Sequence, residues 1–151
     1  MNKYMKIASD EAINGINNNF GGPFGSVIVL NGKVISKGSN RVLIDNDPTS
    51  HGEIVAIRRA CQKLNTYDLS GCILYTNAYP CPMCLSAIIW ANIKVVYYGC
   101  TCTDADKIGF RDDVIYQFIN GKNNLLELKN IDREECLTVF KKYQEKNGII
   151  Y

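Results

Sequence analysis

CILYTNAYPCPMCLSAIIWANIKVVYYG, residues 72–99, reads as strand, turn, helix and strand in succession. CILYT at 72–76 is an apolar and β-branched run, and Asn77–Pro80 is rich in turn formers. Pro82 suits the first turn of a helix running to about Ala91, and KVVYYG at 94–99 is a second strand. Upstream, a helix from about His51 to Leu64 places Ile54, Ile57, Cys61 and Leu64 on one stripe. Before it, FGSVIVL and KVISKG are joined by Asn31-Gly32, a strong signal for a type I′ hairpin. An amphipathic helix over 3–18 precedes them, with Met5, Ala8, Ala12 and Ile16 on one side. Downstream, the pattern predicts a short helix at 114–119, a last strand at 125–128 and a helix at 133–147. A hairpin followed by helix–strand–helix–strand units requires a mixed sheet covered on both faces. Right-handed crossovers put the helices beginning at His51 and Pro82 side by side on one face, within reach of each other.

Composition narrows the function. The chain has 151 residues, 46% apolar and 21% charged, ordinary values for one globular domain over 1–151. The formal charge of +2 does not form the basic stripe that polyphosphate binding rewards, so nucleic acid is not the expected partner. No apolar run approaches the length of a membrane helix, and no signal-peptide pattern is present, so the expected compartment is the cytoplasm. The seven cysteines are an odd number, which speaks against a secreted disulfide framework. Cys61, Cys72 and Cys136 lie in periodic apolar runs and read as core residues. The single histidine, His51, means that any site holds only one imidazole.

His51-Gly52-Glu53 opens one helix and Pro80-Cys81-Pro82-Met83-Cys84 opens the other. Cysteines three apart on a helical turn point the same way, and the helix N-terminus favours thiolate over thiol. Two thiolates and one neutral imidazole balance the charge of Zn²⁺ and leave its fourth position open. Glu53 has a different helical bearing and can move a proton without ligating the metal. Competing readings exist for each part. Ser50-x-x-Glu53 is also a capping box. Cys81-x-x-Cys84 after a strand is also a thioredoxin-like redox pair. A closed structural zinc could recruit Cys100 or Cys102 as its fourth ligand, giving a zinc-stapled binding module. Neither the redox nor the structural reading expects His-x-Glu at the preceding helix start.

That combination is the H-x-E…P-C-x-x-C signature of zinc deaminases acting on nucleobases. The chain resembles the cytidine-deaminase-like superfamily over nearly its whole length, and within it the bacterial guanine deaminases. The matching stretches are GGPFG at 21–25, NDPT at 46–49, CILYT at 72–76, PCPMC at 80–84, AIIWA at 87–91 and GFRDD at 109–113. The resemblance implies a three-layer α/β/α sandwich around a mixed five-stranded sheet. It implies zinc on His51, Cys81 and Cys84, and Glu53 as the proton shuttle. It further implies Phe24 and Asn40 in the base pocket, Trp90 stacking nearby, and Asp112 and Tyr151 completing purine recognition. It also implies a homodimer with exchanged C-terminal segments, so that Tyr151 serves the partner's site. Without it, Phe24 and Trp90 read as core, Asn40 as a turn residue and Asp112 as a helix cap. The implied reaction is guanine to xanthine and ammonia; cytosine, guanosine or tRNA adenosine are the alternative substrates. Two positions depart from the family pattern: Gly52 stands where Ala is usual, and Tyr79 where Glu is usual.

Overall fold

The computed structural model describes residues 1–151. Its elements in chain order are α1 (Lys3–Asn17), β1 (Gly25–Leu30), β2 (Lys33–Ser39), α2 (Val42–Asp45), α3 (Gly52–Leu64) and β3 (Ile73–Ala78). They continue as α4 (Pro82–Trp90), β4 (Val95–Cys100), α5 (Cys102–Lys107), α6 (Asp112–Ile119) and α7 (Arg133–Glu145). The sheet order is β2-β1-β3-β4, with β1 antiparallel to β2 and β3, and β3 parallel to β4. Asn31 and Gly32 both have positive φ, at 49° and 75°, which the type I′ turn of the β1–β2 hairpin requires.

Alternation along the central strands sorts the layers. Ile28 of β1 and Leu74 of β3 pack with Ala56 and Ala60 of α3 and Ile88 of α4. Their neighbours Val27, Val29 and Tyr75 turn to the other face, where Ala8 of α1 meets them. Small residues set how closely the layers approach. A Cβ at Gly25 would lie 2.1 Å from the Ala8 carbonyl oxygen, and one at Gly38 would lie 2.7 Å from the Gly52 carbonyl oxygen. α3 therefore enters directly against β2. A Cβ at Gly52 itself would stand 3.2 Å from the carbonyl oxygens of Gly38 and Phe24, which gives Gly52 a packing reason.

The sheet has four strands, not the expected five. Residues 125–128 form no strand. Leu125 and Leu126 sit in a bend, and a strand exists only through pairing, yet no backbone hydrogen bond reaches residues 125–128. Leu125, Leu126 and Leu128 are exposed instead. The short helices α2 and α5 are additional to the sequence reading, and Cys136 is exposed rather than core. No helix is long and apolar enough to cross a membrane.

Candidate active site

The two helix starts do meet. His51 is the N-cap of α3 and Cys81 the N-cap of α4, both with extended backbone, and Pro82 occupies the first turn of α4. Cys84 lies one turn into α4 and is fully buried. His51 Nδ1 is 3.5 Å from Cys81 Sγ and 3.6 Å from Cys84 Sγ. All three ligand atoms lie within 4.8 Å of one another. A tetrahedral zinc with bonds of about 2.0–2.3 Å holds its ligand atoms about 3.5 Å apart, so these residues fit the ion. Cys100 and Cys102 are not part of this cluster, which excludes a closed four-ligand protein cage.

The electrostatics are those of a cation site. The Cys84 thiol beside Cys81, with His51 assisting, holds the Cys81 thiol down at about 4. The same contact, with burial and the nearby Glu53 carboxylate, pushes Cys84 up. The hydrogen bond to Cys81 raises His51 against the opposing effect of burial. Burial is also the main force raising Glu53, whose neighbouring Cys81 adds to the shift. Negative charge is thus crowded into a dry space, and a divalent cation reached by all three donors relieves the crowding while releasing the thiol protons.

Glu53 is 5% exposed. Its Oε1 accepts from the Thr76 hydroxyl of β3 at 3.3 Å, and its Oε2 accepts from the Cys84 thiol at 3.4 Å. It does not close a capping box: the Ser50 hydroxyl donates to Asp45 and Asp47 instead. The carboxylate is therefore held at the metal cluster by the sheet.

His51, Glu53 and Cys81 lie on the wall of a cavity of about 520 Å³. Phe24, Asn40 and Asp112, all expected in the base pocket, line it as well. Asn40 is 3% exposed, and its Oδ1 accepts from the backbone N–H groups of Gly22 and Val42. Its side-chain nitrogen has no protein partner. The Phe24 ring meets Phe110 edge-on with centroids 4.8 Å apart. Asp112 is the first residue of α6, not its cap, and burial raises its carboxyl group. Phe110 and Tyr79 are further wall residues that the sequence reading did not assign to the pocket. Trp90 and Tyr151 are not brought to this cavity. They are 64% and 72% exposed and lie against each other, with centroids 5.9 Å apart, at the far end of α4.

Residues 1–100 match the zinc-binding region of the cytidine and deoxycytidylate deaminases, and the chain belongs to that family. It is a zinc-dependent aminohydrolase, and the fit of the His51, Cys81 and Cys84 cluster supports Zn²⁺ as its metal. Within the zinc deaminases it groups with the guanine deaminases. It is 50% identical over 117 residues to guanine deaminase of Bacillus subtilis, covering 78% of this chain and 75% of that protein. The X-ray structure of guanine deaminase from Bacillus subtilis superposes with a TM-score of 0.90 at 43% identity, over 96% of this chain and 95% of the other. A tRNA-specific adenosine deaminase of Buchnera aphidicola is 36% identical over 122 residues, covering 80% of this chain and 79% of that protein.

Proposed function

We propose that this chain, acting as one deaminase domain over residues 1–151, hydrolyses guanine to xanthine and ammonia. The observation that carries the reading is the placement of Glu53 beside the His51–Cys81–Cys84 cluster, in a cavity walled by Phe24, Asn40 and Asp112. Zinc supplies Lewis acidity, which makes a water molecule a competent nucleophile near neutral pH. Every other task falls to the chain. Phe24 and Phe110 offer aromatic edges and faces to a flat purine. The unpartnered Asn40 side-chain nitrogen donates to an acceptor on the base, and the Asp112 carboxyl pairs with its ring N–H groups. Together they bring C2 toward the metal cluster.

Glu53 moves the protons. Its Oε1 stays fixed by Thr76, while Oε2 is released from the Cys84 thiol when that proton leaves on metal binding. Oε2 takes a proton from the attacking water, passes one to the ring nitrogen, and returns one to the departing amine. The products balance: guanine and water give xanthine and ammonia. The test is ammonia release from guanine, guanosine, adenine, cytosine and cytidine by the zinc-loaded protein. Turnover confined to guanine is expected; faster turnover of another base would replace the assignment. The kinship to tRNA-specific adenosine deaminases is a reason to include a tRNA anticodon stem–loop. Activity on it that falls steeply with salt, with none on guanine, would favour that substrate.

The same reading extends to a homodimer with exchanged C-terminal segments. Tyr151 is exposed and lines no cavity at its own metal cluster, while α6 and α7 bury no side chain. A second copy gives these surfaces a partner and brings Tyr151 to the neighbouring site. Deleting Ile150-Tyr151 is expected to raise KM or lower kcat with zinc content intact. Unchanged kinetics would remove Tyr151 from the site, and a monomeric mass in light scattering would remove the dimer.

A further inference from the structure

α6 carries Asp112 into the cavity, yet the helix has no buried residue of its own. What holds it there is specific. The Tyr116 hydroxyl, one helical turn after Asp112, donates to the Pro80 carbonyl oxygen at 2.8 Å. It is the only hydrogen bond from α6 to the sheet-bearing part of the chain. The other side-chain bonds along the helix stay local, from Gln117 to Asp113 and from Asn123 to the Val114 carbonyl. Pro80 immediately precedes the metal ligand Cys81. The Tyr116 ring also lies 6.3 Å from that of Tyr79, which in turn meets Tyr98 of β4 edge-on at 5.0 Å. Burial raises the Tyr116 phenol, so it stays a neutral donor across the working pH range.

We propose that Tyr116 is a positioning residue: its bond to Pro80 sets the distance between the Asp112 carboxyl and the metal cluster, and so sets affinity for the base. The proposal rests on Asp112 contacting the substrate, as in the function proposed above. α6 also packs against α5 and α4, and just before it Phe110 meets Phe24, but none of these contacts is a hydrogen bond from the helix to the segment that leads into Cys81. Loss of the hydroxyl removes the one directional tie between this helix and the metal cluster, loosening Asp112, while the metal ligands keep their own supports in α3 and α4.

The experiment is a double-mutant cycle in the zinc-loaded protein with Tyr116→Phe and Asp112→Asn. Tyr116→Phe is expected to raise KM for guanine about 3- to 10-fold, the worth of one neutral hydrogen bond, with kcat within about twofold and zinc content unchanged. In the Asp112→Asn background the same change is expected to add nothing. Hydrogen exchange is expected to quicken in residues 110–119 and stay unchanged in β3. An unaltered KM overturns the proposal, as does an equal factor in both backgrounds. Loss of zinc in Tyr116→Phe overturns it too, by showing that the bond serves Cys81 instead. If the wild type does not turn over guanine, the assigned function falls; the exchange measurement uses no substrate and still decides, since unchanged exchange at 110–119 refutes the coupling.

Discussion

Every buried side chain of the chain lies between Ala8 and Ala105, whereas α6, α7 and the segments around them bury none. In the first region a strand residue such as Leu74 is enclosed by helices on one face while its neighbour Tyr75 is covered on the other. In the second region Leu128, Ile131, Val139 and Phe140 are all largely exposed. Apolar surface of that kind marks a face meant for contact. The division also runs through the active site. The metal ligands and Glu53 come from the packed region, while Phe110 and Asp112 come from the start of the other. The proposed chemistry, which needs fixed distances, is built where packing over-determines position, and the proposed recognition of the base is shared with a segment that buries no side chain.

The largest expected effect tests the packed half of the site. Glu53→Gln keeps the Thr76 contact and the shape of the side chain but cannot carry a proton. Turnover is expected to fall by about 10²- to 10⁴-fold with zinc content and thermal midpoint near those of the wild type. Retained turnover would remove Glu53 from the mechanism and assign the proton transfer to another group. The next effect sets the two regions against each other. Leu74→Ala is expected to cost about 2–5 kcal/mol of stability, because a fully enclosed side chain leaves a cavity. Phe140→Ala, at a residue 68% exposed, is expected to stay within about 0.5 kcal/mol in the isolated chain. Equal losses in chemical denaturation would show that the second region is packed after all. A loss at Phe140 that grows with protein concentration would place that residue in a dimer contact.

The same division explains what was legible in the sequence. The hairpin, α3, β3 and α4 follow from periodicity and turn chemistry, because positions in the packed central strands answer to a core face; β4 is legible from its β-branched and aromatic run although most of it is exposed. The metal cluster was legible because its spacing is local, His51 to Glu53 and Cys81 to Cys84, and the crossover rule joins the two. Residues 125–128 misled because strand pairing is non-local, and Leu-rich sequence does not say whether an edge will accept it. The competing capping-box reading of Ser50-x-x-Glu53 is not realised: Ser50 bonds Asp45 and Asp47, and Glu53 bonds Thr76 and Cys84. The capping box that does form, Thr101 with Asp104, carries the same pattern and opens α5, a helix absent from the sequence reading. Phe110 and Tyr79 were not legible as pocket walls, since nothing local distinguishes a core aromatic from one lining a cavity.

That capping box stands at the joint between the two regions, and it carries the smallest effect. Asp104 Oδ2 accepts from the Thr101 backbone N–H at 2.9 Å and from the Thr101 hydroxyl at 2.8 Å. The backbone contact is the stronger cause and the hydroxyl the next, and together they hold the Asp104 carboxyl below its ordinary 3.8. A depressed carboxyl stabilises the fold fully above its unfolded value, and that contribution is lost as pH falls through the folded value. Wild type is therefore expected to unfold at a higher temperature than Asp104→Ala above about pH 5, with the difference shrinking once pH falls below 3.8. Exposure keeps the effect small, and salt is expected to change it little, because hydrogen bonds to Thr101 outweigh the distant Lys107 charge. A difference constant down to the acid limit would mean that the carboxylate charge is not what holds α5, and that the joint is fastened by Ala105 alone.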